Sequence, residues 1–264
     1  MDTSIAHALL LGIVQGLSEF LPISSSGHLV ILPWIFDFSD PGLSFDVALH
    51  AGTLIAVLGY FWRDWCNIFH LRDDMPQYRS VPNLLLFLVA ATVPGAIAGA
   101  LLEKQAETVF RDPLLIATTL FTFGALLLLA DKRGSKVRSV EKITLRDALA
   151  IGCAQALAIV PGVSRSGITI TAALARGIDR ASAARFSFLL STPIICAALL
   201  ANARALFAAG ITLPFIVGVL SSAVSGYFAI ASLIRFVERA SYRVFFWYRA
   251  AIALIIVSFI FLHV

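Results

Sequence analysis

Six long apolar runs constrain the fold of this chain more than any other feature of its sequence. Each run has 18 to 23 residues, and a helix of about 20 residues is long enough to cross a hydrocarbon core of roughly 30 Å. Charged residues make up only 14% of the 264 residues, against about a quarter in a soluble domain. The sequence therefore predicts a polytopic helical membrane protein. The predicted spans are 44–62, 82–102, 113–130, 186–203, 212–234 and 245–263.

The chain leaves little room for a soluble domain. Its longest polar stretch, 131–147, has 17 residues, which is too short to bury a hydrophobic core of its own. This argues against a DNA-binding domain, a cytosolic dinucleotide-binding domain and a secreted disulfide scaffold. We therefore predict a single membrane domain, 1–264, with no nucleic-acid partner.

Four shorter apolar segments form two pairs that do not fit the pattern of full spans. The first pair is 5–22 with 28–36, and the second is 147–160 with 168–175. A polar turn that contains Gly and Pro interrupts each pair. Because non-helical backbone at membrane depth is tolerated only where protein or a wet cavity surrounds it, each pair predicts a re-entrant helical hairpin.

The two hairpins also match each other in sequence. A shift of 140 residues aligns eight identities over twenty positions, including Gln15 with Gln155 and an S-x-S-G turn. Three spans between the hairpins place them on opposite sides of the membrane, which predicts an inverted repeat whose tips meet near the midplane. The predicted fold class is an all-α polytopic membrane protein with six transmembrane helices plus two re-entrant helical hairpins, ten helices in all. Repeat one is 1–131, repeat two is 147–264, and a cytoplasmic loop, 132–146, joins them.

The basic residues indicate an orientation. With the N-terminus outside, the inner loops hold fifteen Lys and Arg residues and the outer loops hold three, as expected from the excess of basic residues in cytoplasmic loops. Arg165 and Arg249 are left out of this count, because one lies in a hairpin turn and the other inside a span. The fifteen inner residues are Arg63, Arg72, Arg79, Lys132, Arg133, Lys136, Arg138, Lys142, Arg146, Arg176, Arg180, Arg185, Arg235, Arg239 and Arg243.

Glu19 is the most informative single residue, because an ionisable group in an apolar segment costs about 2.5 to 3.5 kcal/mol on insertion and usually marks a function. Gln15 precedes it by one helical turn, so the two side chains share a face. If the ligand is a phosphate, Glu19 and Gln15 are expected to hold a divalent cation, Mg²⁺ or Ca²⁺, through oxygen atoms. Alternatively, Glu19 only caps or pairs within the bundle.

Arg165, in the second turn, is the matching cation. Its planar guanidinium suits phosphate or carboxylate oxygens, and the helices expected to start after Gly27 and Gly167 offer backbone N–H groups at their positive ends. A buried ion pair between Glu19 and Arg165 is the alternative, but it leaves the serine-rich turns unexplained. The predicted phosphate-binding residues are Ser24, Ser26, Gly27, Ser164, Ser166, Gly167 and Thr169.

Two further residues of the first turn suggest chemistry. His28 is expected to act as the acid or base, and Ser25 as a nucleophile or a phosphate ligand. Asp46 and His50, one turn apart on the third helix, are weaker candidates. Asp46 lies near the end of a span and is expected to be solvated.

The two turns, Q-G-L-S-E-F-L-P-I-S-S-S-G-H and P-G-V-S-R-S-G-I-T, closely resemble the signature segments of the bacterial undecaprenyl-diphosphate phosphatase family, which is linked to bacitracin resistance. The resemblance extends over essentially the whole chain. It implies a multi-pass protein of the bacterial plasma (inner) membrane. The count of basic residues predicts that its N-terminus and active-site opening are outside or periplasmic. The resemblance also implies removal of the terminal phosphate from a C55 polyprenyl diphosphate lipid, which recycles the lipid carrier for peptidoglycan synthesis.

At the matching positions, the resemblance implies that Glu19 is the acidic residue and Gln15 its partner, although some members carry Glu where this chain has Gln15. Ser25 and His28 are the serine and histidine of the first turn, and Arg165 is the phosphate-binding arginine. Serine attack, histidine attack and attack by water activated by His28 at a bound metal all fit this set.

Two other protein classes compete with this interpretation. A polyprenyl-phosphate flippase or another inverted-repeat anion transporter would share the broken helices. Membrane phosphatidic acid phosphatases share the element Ser26-Gly27-His28, but they also need an upstream lysine and arginine motif and a later histidine that do not occur in that order. Small residues along 94–100 and 218–229 would allow close helix packing, within one chain or in a homodimer.

Overall fold

The chain folds as a bundle of α-helices. The computed structural model describes residues 4–69, 71, 74–75 and 83–262, and in these ranges it contains twelve α-helices and no strand, with one isolated bridge between Arg138 and Ile178. In chain order the helices are α1 (Ile5–Phe20), α2 (Ser25–Ile35), α3 (Leu43–Tyr60), α4 (Trp62–Ile68), α5 (Leu84–Glu107), α6 (Pro113–Arg133), α7 (Leu145–Gln155), α8 (Arg165–Ala175), α9 (Arg180–Ala201), α10 (Ala203–Ala209), α11 (Leu213–Arg239) and α12 (Arg243–Leu262). Three short 3₁₀ segments are Val109–Arg111, Val140–Lys142 and Ala156–Ile159.

The prediction of six spans is confirmed. Helices α3, α5, α6, α9, α11 and α12 have 18 to 27 residues and are apolar enough to cross a membrane. Helix α9 begins at Arg180, six residues before the predicted span, because the Asp179 side chain caps it by accepting from the Ser182 N–H at 2.9 Å. Hydropathy alone does not detect such a polar first turn. Positions 82 and 263 of the predicted spans, and Arg72 and Arg79 of the charge count, lie outside the described residues.

The prediction of ten helices is wrong, because two short helices were missed. Helices α4 and α10 each follow a spanning helix after one non-helical residue, Phe61 or Asn202. Each has seven residues, about two turns, so neither is long enough to show a helical period in the sequence.

Both predicted hairpins are helix-turn-helix units, but their second helices begin three residues earlier than expected. Helix α2 starts at Ser25 rather than after Gly27, because the Ser24 side chain accepts from the Gly27 N–H at 3.4 Å and caps the helix. The Gly27 N–H therefore donates to the Ser24 side chain. From the sequence, backbone N–H groups at this helix start were expected to be available to bind an anion.

The second hairpin repeats this geometry. Helix α8 starts at Arg165, and the Ser164 side chain accepts from the Gly167 N–H at 3.1 Å. The φ angle is +76° at Ser24 and +71° at Ser164, a left-handed conformation that side chains other than glycine rarely adopt. The same unusual turn therefore places Ser25 and Arg165 in the first turns of two helices.

The first helix of each hairpin packs closely against a spanning helix. Helix α1 packs along α11, and a Cβ on Gly12 would overlap the carbonyl oxygen of Gly218. Helix α7 packs along α5 in the same manner, with Gly152 against the backbone of Ala91. Small residues let helix backbones approach closely. Gly218 thus contributes to packing within one chain.

Candidate active site

Glu19, in the last turn of α1, lies at the centre of a cluster of hydrogen-bond donors. Its Oε1 accepts from Arg165 Nη2 at 2.9 Å, and its Oε2 accepts from Gln15 Nε2 at 3.1 Å and from Ser25 Oγ at 2.6 Å. His50 Nε2 lies 3.4 Å from the same Oε2. Only 5% of the Glu19 side chain is exposed. Three helices of the two hairpins, α1, α2 and α8, and the spanning helix α3 therefore meet at one carboxylate.

His50 is held so that its Nε2 faces Glu19. Its Nδ1 lies 2.7 Å from the carbonyl oxygen of Asp46, and because a carbonyl only accepts, Nδ1 carries the proton of that hydrogen bond. His50 therefore presents Nε2 to the carboxylate, on which Arg165 also converges.

Asp46 is not solvated as expected. Its side chain is buried, and its Oδ2 lies 3.4 Å from Arg111 Nη1. Arg111 also binds Asp40 at 2.6 Å. The prediction failed because Arg111, which is distant in sequence, lies against Asp46 at the start of α3.

Two buried polar atoms of the cluster have no hydrogen-bond partner among the described residues. They are Arg165 Nε and Gln15 Oε1. The guanidinium is otherwise anchored, since its Nη1 donates to the carbonyl oxygen of Ser187 at 2.8 Å. A buried polar group without a partner costs free energy, so these two atoms are candidates for binding a ligand.

His28 is turned away from this cluster. Its Nδ1 lies 2.7 Å from the Ser24 carbonyl oxygen, and its Nε2 lies 2.8 Å from the Tyr248 hydroxyl. The two rings are stacked, with centroids 5.7 Å apart. Both ring nitrogens are thus engaged, and among the described contacts none joins His28 to Ser25 or Glu19.

The tips of the two hairpins contact each other directly. Ser24 Oγ accepts from the Gly162 N–H at 3.0 Å, and Ser166 Oγ lies 3.3 Å from the Leu21 carbonyl oxygen, to which it donates. These bonds cross between the two turns. They bring Arg165, which follows the second turn, within reach of Glu19.

The other hydroxyls predicted to bind phosphate also make contacts within the chain. Ser164 Oγ lies 3.3 Å from Ser166 Oγ, and Ser26 Oγ lies 3.5 Å from Ser24 Oγ. Thr169 Oγ1 donates to the Arg165 carbonyl oxygen at 2.8 Å. Capping and helix contacts account for these geometries, and phosphate binding by these residues stays a prediction.

Arg249, in α12, donates hydrogen bonds to the backbone of both tips. It is fully buried, and all of its hydrogen bonds go to backbone carbonyl oxygens. Five donors in a fixed planar fork suit such a set of acceptors. The acceptors, at 2.7 to 3.4 Å, belong to Leu120, Thr119, Pro22, Gly162 and Val163.

The family of the chain is shown by comparison with known proteins. The family described as Bacitracin resistance protein BacA matches residues 8–255, a range that includes both tips. The chain belongs to this family. It is 51% identical over 256 residues to the Undecaprenyl-diphosphatase of Moorella thermoacetica, which covers 97% of each chain. It is 50% identical over 251 residues to the Undecaprenyl-diphosphatase of Desulforudis audaxviator, with 95% of this chain and 96% of the relative covered.

In this BacA-family chain, the structure brings together four of the residues singled out from sequence, namely Gln15, Glu19, Ser25 and Arg165. It adds His50, which the sequence marked only as a weaker candidate. The second addition is Arg249. Its signal was a charge inside an apolar span, but the sequence does not show which backbone that charge would bind.

Proposed function

We propose that this chain is an undecaprenyl-diphosphate phosphatase that hydrolyses undecaprenyl diphosphate to undecaprenyl phosphate and inorganic phosphate. The observation that carries the proposal is the convergence of Ser25 and Arg165 on Glu19 in a chain of this family. The two relatives named above are both called Undecaprenyl-diphosphatase. Such a reaction recycles the lipid carrier for peptidoglycan synthesis, which accounts for the link to bacitracin resistance.

In the proposed reaction, Ser25 Oγ attacks the terminal phosphorus. The bond between that phosphorus and the bridging oxygen breaks, and undecaprenyl phosphate leaves with the electron pair. The Ser25 proton passes to Glu19 Oε2, which already accepts that hydroxyl at 2.6 Å. Arg165 binds the phosphate oxygens, and water then hydrolyses the phosphoserine to release inorganic phosphate.

This scheme gives His28 a different part from the acid or base expected from sequence. Its ring bonds to the Ser24 carbonyl oxygen and to Tyr248, which supports a role in holding the first tip. Attack by His28 and attack by water remain the competing schemes. Trapping of a phosphoenzyme separates them.

We further propose that Glu19 and Gln15 hold a divalent cation, Mg²⁺ or Ca²⁺, together with substrate oxygens. Among the described residues there is no group of three or more His, Cys, Asp or Glu that could hold a metal. The donor set nevertheless fits a hard cation, because Gln15 Oε1 is a buried oxygen without a partner beside Glu19, and Mg²⁺ is commonly bound by one or two protein oxygens plus phosphate. When bound, such a cation supplies positive charge for the phosphate oxygens.

The topology we propose is the inverted repeat of two re-entrant hairpins, with repeat one 1–131, repeat two 147–264 and the connecting loop 132–146. Helices α1 and α7, and likewise α2 and α8, start 140 residues apart, as the sequence match predicts. The short helices α4 and α10 start 141 residues apart. The first helix of each hairpin packs on a spanning helix of the other repeat: α1 packs on α11, and α7 packs on α5. This reciprocal packing also supports a two-fold relation between the repeats.

The excess of basic residues in the predicted inner loops supports an outside or periplasmic N-terminus in a bacterial plasma (inner) membrane. The first hairpin would then open to the outside. Labelling of cysteines engineered into loop 132–146 with a membrane-impermeant reagent tests this orientation. A homodimer also stays a proposal.

Phosphate release by purified protein in detergent tests the proposed function. Detergent leaves the chemistry intact but removes the two compartments that transport needs. Release of inorganic phosphate from undecaprenyl diphosphate by the wild-type protein, with none from Ser25→Ala, is the expected result. Tight binding of lipid phosphate without release would favour the flippase alternative, which the comparisons do not support.

A further inference from the structure

Each side chain that makes a described hydrogen bond or ion pair with the Glu19 carboxylate presents a nitrogen or a hydroxyl group to it. Arg165, Ser25, Gln15 and His50 supply these contacts at 2.6 to 3.4 Å. Glu19 is thus surrounded as a bound oxyanion would be. The donors are arranged for an acceptor with several oxygens, and a terminal phosphate has three.

His50 is more exposed than the two residues of the ion pair in this cluster. Its side chain is 24% exposed, against 5% for Glu19 and 12% for Arg165. The bond from Nδ1 to the Asp46 carbonyl oxygen fixes the ring, so Nε2 keeps its direction toward the cluster.

The charges of the cluster also favour an anionic ligand. The site holds one cation, Arg165, and one carboxylate, Glu19, because position 15 carries the neutral Gln15. A terminal phosphate carries close to two negative charges near pH 7. It therefore attracts Arg165 more strongly than the single carboxylate does.

We propose that His50 Nε2 binds the terminal phosphate together with Arg165, and that Glu19 occupies these two side chains until the phosphate enters. When the phosphate enters, Arg165 and His50 transfer their hydrogen bonds from Glu19 to phosphate oxygens. Glu19 keeps its contact with Ser25. This inference rests on the proposed function, since it assigns the phosphate-binding donors of the same site.

Inhibition by inorganic phosphate tests the contribution of His50 in the full-length protein in detergent. His50→Ala should raise the inhibition constant of phosphate and the KM of the lipid diphosphate by about tenfold, the expected loss of one charge-assisted hydrogen bond. His50→Gln, which keeps a neutral donor, should recover part of that loss. His7→Gln, at the far end of α1, is the matched control. Constants within twofold of wild type in His50→Ala would overturn the proposal, even if kcat fell.

Phosphate binding without turnover tests the role of Glu19 and needs no divalent cation. In the presence of EDTA, Glu19→Ala should bind inorganic phosphate at least about tenfold more tightly than wild type, because its charge-assisted donors are no longer occupied. Addition of His50→Ala should cancel most of that gain. Calorimetry or ³¹P NMR measures both affinities, and where Glu19→Ala does not fold, Glu19→Gln preserves the volume. No gain in either Glu19 variant would overturn the proposal.

The two experiments separate this inference from the proposed function. If wild-type protein releases no phosphate from undecaprenyl diphosphate, the proposed function fails, while the binding measurement still decides whether His50 and Arg165 bind phosphate. If phosphate is released but the binding predictions fail, the phosphatase stands without the assigned donors.

Discussion

Arg165 Nη2 lies 2.9 Å from Glu19 Oε1, so the cation of one hairpin is bonded to the carboxylate of the other. A buried ion pair is the simplest interpretation of such a contact, and replacing it by apolar residues can be neutral for stability. Here the same carboxylate also accepts from Ser25, and Arg165 Nε has no partner among the described residues. An ion pair alone requires neither of these two features. Glu19, Ser25 and Arg165 are therefore the residues to replace in tests of function.

Arg165→Lys should lose most of the activity although the charge is kept. Lysine lacks the planar fork that spans Glu19, the Ser187 carbonyl oxygen and a phosphate. We expect kcat/KM to fall by about 10- to 100-fold, the loss of one or more charge-assisted hydrogen bonds. Phosphate release in detergent measures it. Arg176→Lys, on a side chain 46% exposed and bonded to Asp147, is the matched control, and near-normal rates for Arg165→Lys would contradict the assigned role.

Glu19→Gln should abolish the response of activity to added Mg²⁺ or Ca²⁺. The amide removes the negative charge that attracts a hard cation. Gln15→Glu should act in the opposite direction and lower the cation concentration for half-maximal rate, because it adds a second carboxylate. Activity measured against free cation after chelation tests both variants. A Glu19→Gln enzyme with an unchanged cation response would refute this metal site.

Ser25→Ala should abolish both phosphate release and any trapped phosphoenzyme. His28→Ala should keep a measurable rate, since the ring bonds to Ser24 and Tyr248 rather than to Ser25. Acid quenching with a ³²P-labelled lipid diphosphate distinguishes the schemes. An acid-labile phosphoenzyme that survives in Ser25→Ala would instead identify histidine as the nucleophile.

Asp147, at the start of α7 and outside the spanning helices, should make stability depend on pH. Burial raises its pKa, but hydrogen bonds from Arg138, Arg176 and Thr144 outweigh burial and leave the pKa below its usual value. A carboxylate in the unfolded chain titrates near about 3.9, so this stabilisation is complete above that pH and is lost as pH falls below it.

Thermal unfolding in detergent measures the effect. Asp147→Asn should be less stable than wild type by about 1 to 3 kcal/mol at pH 7, and the difference should shrink as pH falls below about 4. Glu141→Gln, on an exposed residue, is the control. A difference that stays constant between pH 7 and 3 would show that Asp147 does not titrate as its contacts indicate.

Two helical glycines should respond in opposite directions to alanine. A Cβ on Gly152 would overlap the Ala91 carbonyl oxygen, whereas a Cβ on Gly99 would meet no atom within 4 Å. We expect Gly152→Ala to destabilise the protein by about 1 to 3 kcal/mol through overpacking. Gly99→Ala should be neutral or stabilising by up to about 1 kcal/mol. Unfolding curves of equal midpoint would contradict the close packing of α7 on α5.

Most of the fold could be predicted because the membrane imposes a length and an apolar composition on each span. The start of α9 could not be predicted, since this helix begins with a polar turn capped by Asp179. Helices α4 and α10 were missed because they are too short to show a helical period. The starts of α2 and α8 were also misplaced, because Ser24 and Ser164 adopt positive φ angles that sequence patterns do not reveal.

Part of the candidate site could also be predicted from the sequence, and part of it could not. Gln15 and Glu19 were paired correctly because a spacing of four residues fixes neighbours on one helix. The repeat placed Arg165 near them through the matching turns. His50 was predicted only as a weaker candidate, because its spacing from Asp46 does not indicate which helix its ring faces. The side-chain direction of His28 was equally hidden, since its partner Tyr248 lies 220 residues away.

The sequence by itself determined that this is a membrane protein with six spans and two polar, repeated turns, and that it belongs to the BacA family. These properties depend on composition, on the length of each apolar run and on local spacing, all of which can be observed in the sequence directly. Only the tertiary structure decided that His50 rather than His28 joins Arg165 and Ser25 at Glu19. Such contacts depend on how distant helices pack and in which direction each side chain points, and no local pattern encodes either.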